Sequence, residues 1–435
     1  MIYKMNTVKH PHPIEVSVPG SKSITNRALL IAALSSGQSV LKGVLFSDDS
    51  RHFIQALIDL GFDVDVNEED CIVSIVGCGG RIPCMGRKIN EKYDAIVDVG
   101  SAGTAARFLA AFLGLSKGRY KMVSSEQMKK RPMKELLIAL EELGASIEYE
   151  EEPYHFPFII GNDNITKSKV TIDVDKSSQF LSAFLITSVL FEEDLEINVA
   201  GSHGMAYVNM TIAMMEQFGV KVNRKSEVGN KYEIASSSSY EPREYDIEPD
   251  LSAACYFYGM SPLLNVSSKV YGVHFDSLQG DIRFINVLEG MGCSAKEEKD
   301  GIVVYPPADG VISGGKWDLS TFSDQTLTLA AIAPFANSAV EITGVEHIRY
   351  QECDRIEAIV DNLSKLGIDC SEANGTITIN PGEIKPGEIE TYDDHRVAMS
   401  FSLIGLVSEG IVILNPMCCR KTFENYFTVL ENSVY

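Results

Sequence analysis

A helix that ends on an apolar residue and glycine, followed at once by a short strand, recurs along this chain at nearly constant spacing. The copies read ALIDLGFDVDV, ALEELGASIEY, MMEQFGVKV, VLEGMGCSAK and NLSKLGIDC, with glycines at Gly61, Gly144, Gly219, Gly292 and Gly367. The steps are 83, 75, 73 and 75 residues. Glycine beyond the last helical turn takes the left-handed conformation that closes a helix. A glycine-free copy, YFTVLENSV, stands at the C-terminal end.

A second pattern interleaves with the first: a polar start followed by an apolar helix. Its copies are SKSITNRALLIAAL, SAGTAARFLAAFLG, SSQFLSAFLITSVL, DLSAACYFYGM, FSDQTLTLAAIAPF and YDDHRVAMSFSLIGL, beginning near Ser21, Ser101, Ser177, Asp250, Ser323 and Asp393. These helices are apolar on most faces and must be covered all round, whereas the glycine-capped ones keep a polar face. Each unit therefore reads as strand, buried helix, strand, amphipathic helix and two strands, an α/β repeat present six times. A chain of 435 residues exceeds one ordinary core. Three units per domain give two domains, and the polar stretch 236–250 is a plausible join. A solenoid of the same units is the alternative that repetition alone permits.

The net charge is 38 − 60 = −22. Nucleic acid and anionic membranes select basic surfaces, so neither is an expected partner. No apolar run approaches the roughly 18 residues needed to span a bilayer, and MIYKMNTVKHPHPIEVS lacks the apolar core of a signal peptide. Nine irregularly spaced cysteines fit no zinc template and read as reduced thiols in a cytoplasm.

Within this acidic chain the informative cations collect at helix starts. Lys22 and Arg27 flank the first turn of the first buried helix, and Arg107 lies just inside the second. Arg131 precedes Pro132, which marks a helix beginning. Arg355 opens RIEAIVDNL, Arg396 lies in DDHR, and Lys421 in RKTFENYF is placed at the last helix. A cation there opposes the helix dipole by about 0.3–1 kcal/mol, which bound anions would offset. Ser23, Thr104, Ser177 and Ser178 also stand at helix starts, where capping accounts for them equally well. Asp324 in FSDQT, Glu352 in YQECDR and His395 in DDHR place acid–base groups beside the cations, as proton transfer on an anionic substrate requires. GSKS at 20–23 lacks the glycine spacing of a P-loop, and GxGxxG, HExxH and GxSxG are absent.

Read in order, VPGSKSITNRALLIAAL, SAGTAARFLAA, KKRPM, KSSQFLSA, FSDQT, ECDR, YDDHRVAMSFSL and KTFENYF resemble the 5-enolpyruvylshikimate-3-phosphate synthase family across residues 13–430. The resemblance implies a two-domain, inside-out α/β barrel-like fold of six βαβαββ units. Residues 1–19 and 248–435 would form one domain and 20–247 the other, with the active site in the cleft between them. It implies transfer of the enolpyruvyl group of phosphoenolpyruvate to the 5-hydroxyl of shikimate 3-phosphate, with phosphate released and no metal or organic cofactor. A cytoplasmic monomer acting on these two small substrates is the corresponding expectation.

Carried over by motif, the resemblance implies that Lys22 touches both ligands and assists proton transfer. Ser23, Arg27, Ser177, Ser178, Gln179 and Tyr207 would hold shikimate 3-phosphate. Gly103, Arg131, Arg355, Arg396 and Lys421 would hold phosphoenolpyruvate, with Gln179 nearby. Asp324 would be the base on the 5-hydroxyl, with Glu352 exchanging the proton of the methylene carbon and His395 assisting. Gln351 stands where the family usually has a lysine that meets shikimate 3-phosphate. In SHGMAY, residues 202–207, two extra residues separate Ser202 from Tyr207, so a Ser202 contact does not carry over. The sister family that acts on UDP-N-acetylglucosamine uses a cysteine on the loop before the arginine matching Arg131. RYKMVSSEQMKK has none. A catalytically silent anion-binding homologue is the further alternative, favoured by Gln351 and opposed by Lys22, Asp324 and Glu352.

Overall fold

The computed structural model describes the chain apart from residues 90, 91, 176, 202, 203 and 226–229 and the side chain of residue 230. Among the described residues the strands form six small sheets, five of four strands and one of three. One repeat shows the plan. Strand Ala95–Asp98 leads into helix Gly103–Gly114, strand Tyr120–Val123, helix Lys134–Leu143 and strands Ser146–Tyr149 and Phe158–Gly161. The first two strands pair in parallel, as a helical crossover requires, and the later pairs are antiparallel.

Each glycine of the repeat has the left-handed backbone expected of it, with φ from +84° at Gly367 to +109° at Gly144. The apolar helices are interior elements. Every residue of Gly103–Gly114 is buried, as are all but two of Lys22–Leu34. Strands instead alternate buried and exposed residues, as in Lys169–Asp173, and so cover the helices with one face.

The chain divides into two compact units, Lys22–Ile247 and Met1–Ser21 with Glu248–Tyr435. In the first, helices Lys22–Leu34, Gly103–Gly114 and Gln179–Thr187 pack on one another. In the second, Leu251–Leu264, Thr326–Ile332 and His395–Val407 do the same. Both units are closed by strands distant in sequence. Glu244–Asp246 pairs in parallel with Gln38–Lys42. Ile2–Lys4 runs antiparallel to Ile411–Leu414, and Ile14–Val16 parallel to Ser268–Tyr271. No helix of the described residues is long and apolar enough to cross a membrane.

Two helix starts differ from the sequence expectation. The helix after Pro132 begins only at Lys134, because Met133 has a non-helical φ of −130° and the Arg131 N–H still donates to the Met128 carbonyl of the preceding turn. Lys421 does not open the last helix. It ends the 3-10 turn Pro416–Lys421, Thr422 breaks the turn with φ −144°, and the helix starts at Tyr426.

Candidate active site

Lys22–Ile247 gathers its polar residues where its three buried helices begin. Lys22 Nζ lies 3.6 Å from Asp49 Oδ2, both largely shielded from solvent. The Arg27 guanidinium, 2% exposed, donates to Thr211 Oγ1 at 2.7 Å, the Ser23 carbonyl at 2.8 Å, Ser182 Oγ at 3.4 Å and the Tyr207 carbonyl at 3.2 Å. Those partners are neutral, and burial pushes the guanidinium down to about 10. Arg27 thus ties Ser23 and Tyr207, on separate helices, to one point.

A second knot joins the other two helix starts. Arg107 Nη1 donates to Gln179 Oε1 at 2.6 Å, and Gln179 Nε2 donates to Thr104 Oγ1 at 3.1 Å. The Gln179 backbone N–H donates to Ser177 Oγ at 3.3 Å in a local turn, while the N-cap residue Ser178 is buried and makes no side-chain cap. Arg107 Nη2 donates to the Pro132 carbonyl at 3.1 Å, which secures the segment carrying Arg131. Arg131 lies directly over Gly103: a Cβ at that glycine would stand 2.5 Å from Arg131 Nη1. Only a residue without a side chain admits the guanidinium there. Ser202 lies outside the described residues.

The other unit holds the acid–base groups, centred on Arg355. This side chain is 1% exposed and opens helix Arg355–Lys365. Its Nε donates to Asp394 Oδ2 at 2.8 Å, Nη1 to Asp324 Oδ1 at 3.0 Å and Nη2 to Glu352 Oε2 at 2.9 Å. Nη1 also donates to Gln351 Oε1. Burial works against this charge, but Asp394, Glu352 and Asp324 outweigh it and hold the guanidinium above its ordinary pKa.

Arg396 Nη2 donates to Asp324 Oδ2 at 2.9 Å, and Lys421 Nζ stands 3.8 Å from Glu352 Oε1. Asp394 caps helix His395–Val407 by accepting from the Arg396 backbone N–H at 2.8 Å. The His395 ring, 1% exposed, has Nδ1 at 3.8 Å from Asp394 Oδ1. Both oxygens of Asp324 accept from arginines at the starts of other helices, Arg355 and Arg396. The nearby Cys353 thiol is pushed up, chiefly by burial and then by Asp394, so it stays protonated and is a poor nucleophile.

Three cations thus face three carboxylates in this cluster, while Arg27 and Arg107 meet neutral oxygens in the other unit. An incoming polyanion would find charge-assisted donors in both, and two carboxylates in the second that can exchange protons. Asp324, Glu352, Gln351, Arg355, Arg396, His395 and Lys421 come together in one unit. Lys22, Ser23, Arg27 and Tyr207 adjoin in the other, as do Gly103, Arg131, Ser177, Ser178 and Gln179. Sequence reasoning missed Asp49 and Asp394. Each sits at a helix start, where capping alone accounts for an aspartate, and nothing in FSDDS or YDDHR sets one aspartate apart from its neighbour.

Residues 9–430 match the family model described as EPSP synthase (3-phosphoshikimate 1-carboxyvinyltransferase). A 3-phosphoshikimate 1-carboxyvinyltransferase of Nostoc punctiforme is 39% identical over 430 residues, 98% of each chain. One of Vibrio atlanticus is 37% identical over 96% of each chain. Among solved structures, EPSP synthase from Acinetobacter baumannii superposes with a TM-score of 0.82 at 22% identity, covering all of this chain and 98% of that one. That last likeness speaks for the fold, and the match over nearly the whole length, together with the relatives' identity, shows that the chain belongs to the EPSP synthase (3-phosphoshikimate 1-carboxyvinyltransferase) family.

Proposed function

We propose that this protein transfers the enolpyruvyl group of phosphoenolpyruvate to the 5-hydroxyl of shikimate 3-phosphate and releases phosphate. The observation that carries the reading is the buried cluster in which Arg355 joins Asp324, Glu352 and Asp394, with Arg396 and Lys421 alongside. It offers cations for an anionic substrate and separate carboxylates for two proton transfers.

In this reading Asp324 takes the proton of the 5-hydroxyl as its oxygen bonds to the middle carbon of phosphoenolpyruvate. Glu352 gives a proton to the methylene carbon, which becomes a methyl group. The tetrahedral adduct then expels phosphate as Glu352 takes a methyl proton back. Arg131, Arg355, Arg396 and Lys421, with Gly103 making room, hold phosphoenolpyruvate. Ser23, Arg27, Ser177, Ser178, Gln179, Tyr207 and Gln351 hold shikimate 3-phosphate. Lys22 serves both ligands, and His395 supports the proton transfers. The protein acts as a cytoplasmic monomer. The experiment is release of inorganic phosphate from phosphoenolpyruvate. It should require shikimate 3-phosphate, and release with UDP-N-acetylglucosamine instead would transfer the protein to the sister activity.

Close approach of Arg131 to Gly103 gives a sharper test of the phosphoenolpyruvate site. Gly103→Ala must push the guanidinium aside, and Arg131→Ala removes it. Charge-assisted bonds contribute about 1.5–3 kcal/mol, so Arg131→Ala should raise KM for phosphoenolpyruvate roughly 10- to 100-fold. Gly103→Ala should raise it less, with KM for shikimate 3-phosphate and the thermal midpoint held. Unaltered KM in both variants would return Arg131 to a surface role.

A further inference from the structure

Behind the Asp324 turn lies a buried carboxylate that the reaction as described does not use. Asp281, in the 3-10 turn Gly280–Arg283, is 4% exposed. Its Oδ2 accepts from Ser252 Oγ at 2.8 Å and its Oδ1 from Gln325 Nε2 at 3.2 Å. Gln325 is wholly buried, accepts from Thr328 Oγ1 at 3.0 Å, and shares the turn Ser323–Gln325 with Asp324. We propose that Asp281 is a positioning residue for Asp324: through Gln325 it fixes the turn that presents the base, and it sets a second carboxylate behind that base. The proposal rests on Asp324 being the base.

The charged and titratable groups around Asp281 are few. Asp324 and Arg396 act on it from the site, and Cys255 Sγ reaches its backbone carbonyl at 3.6 Å. Asp250 bears on the same thiol, and Arg283 of its own turn reaches Thr321 instead. Among the described residues no lysine or arginine forms an ion pair with Asp281. Burial and then the Asp324 charge push its carboxyl up to about 7, against Arg396, Ser252 and Gln325. The fold therefore favours the protonated form. Its stabilising contribution is complete below the ordinary carboxylate range and is lost as pH rises through about 7. Above that, an ionised Asp281 costs stability yet makes Asp324 a stronger base, because like charges resist ionisation.

Asparagine keeps the shape, and the Ser252 hydroxyl can accept where it donated. Asp281→Asn should therefore unfold at higher temperature than the wild type at about pH 8, with the gap narrowing toward pH 5. Its kcat should fall roughly tenfold, KM for both substrates should stay within about twofold, and the acid limb of the kcat profile should move to lower pH. In an Asp324→Ala background the substitution should cost nothing further. Asp281→Asn removes the charge and keeps the Gln325 hydrogen bond; should it fail to fold, Gln325→Leu cuts that hydrogen bond itself and must lower kcat at preserved KM. Wild-type kcat and pH profile in Asp281→Asn, or a loss that adds fully to that of Asp324→Ala, overturns the proposal. Full activity in Asp324→Ala itself would overturn the assignment of the base, and the proposal with it.

Discussion

Asp324→Ala and Glu352→Gln will each lower kcat by at least about 100-fold, the scale on which positioned proton transfer accelerates a reaction. The two losses have different signatures. Asp324 also holds the Arg355 and Arg396 guanidinium groups. If that were its only task, its removal would free two cations and alter KM for phosphoenolpyruvate, while saturating substrate restored the rate. A base cannot be replaced by more substrate, so the deficit must persist at saturation. Glu352→Gln keeps the volume and one acceptor for Arg355 but exchanges no proton. It should abolish exchange of solvent deuterium into the methylene group of phosphoenolpyruvate. Near-normal saturated rates in either variant would remove that residue from the chemistry.

Arg355→Met will destabilise the protein by about 3–5 kcal/mol at neutral pH, the scale of breaking a buried ion pair from one side. Methionine fills much of the volume, so the cavity contribution is small. What remains is three shielded carboxylates, Asp324, Glu352 and Asp394, that have lost their common partner. The deficit should shrink as pH falls, because unpaired buried carboxylates take up protons in the folded state. Denaturant unfolding at neutral and acidic pH measures both parts. A stability within about 0.5 kcal/mol of the wild type, as surface substitutions give, would mean the cluster is held by its surroundings.

The pattern of elements was legible because it follows from local rules. Glycines such as Gly144 mark where each amphipathic helix must stop, and uniform apolarity from Phe108 to Leu113 admits only an interior helix. The cations at helix starts were legible because they oppose the dipole. Less legible was which neighbour faces inward. Asp393 and Asp394 are chemically identical, yet Asp393 has φ +56° and accepts from the Asn415 amide, while Asp394 turns in to Arg355. That choice is made by a left-handed turn over Tyr392 and Asp393, a conformation that a tyrosine does not announce and that either aspartate could adopt. Proline 132 misled for a related reason: its fixed φ suits a first helical position, but Met133 interrupts the helix before it can begin. Gln351 was visible as an uncharged residue, but its engagement with Arg355 was not.

Strands donated from afar impose an order of assembly on a chain made from its N-terminus. Residues Ile2–Lys4 and Ile14–Val16 emerge first, yet their partners are Ile411–Leu414 and Ser268–Tyr271. Lys22–Ile247 can complete its own sheets as soon as Glu244–Asp246 appears. The unit that carries Asp324 and Arg355 cannot: Ile14–Val16 waits until Ser268–Tyr271 is made, and Ile2–Lys4 waits for Ile411–Leu414, through almost the whole of synthesis. The half bearing the proton-transfer groups is thus the last to mature, and a ribosome that stops short of Ile411 leaves one finished unit beside another whose Asp324 and Glu352 are made but whose first strand has no partner.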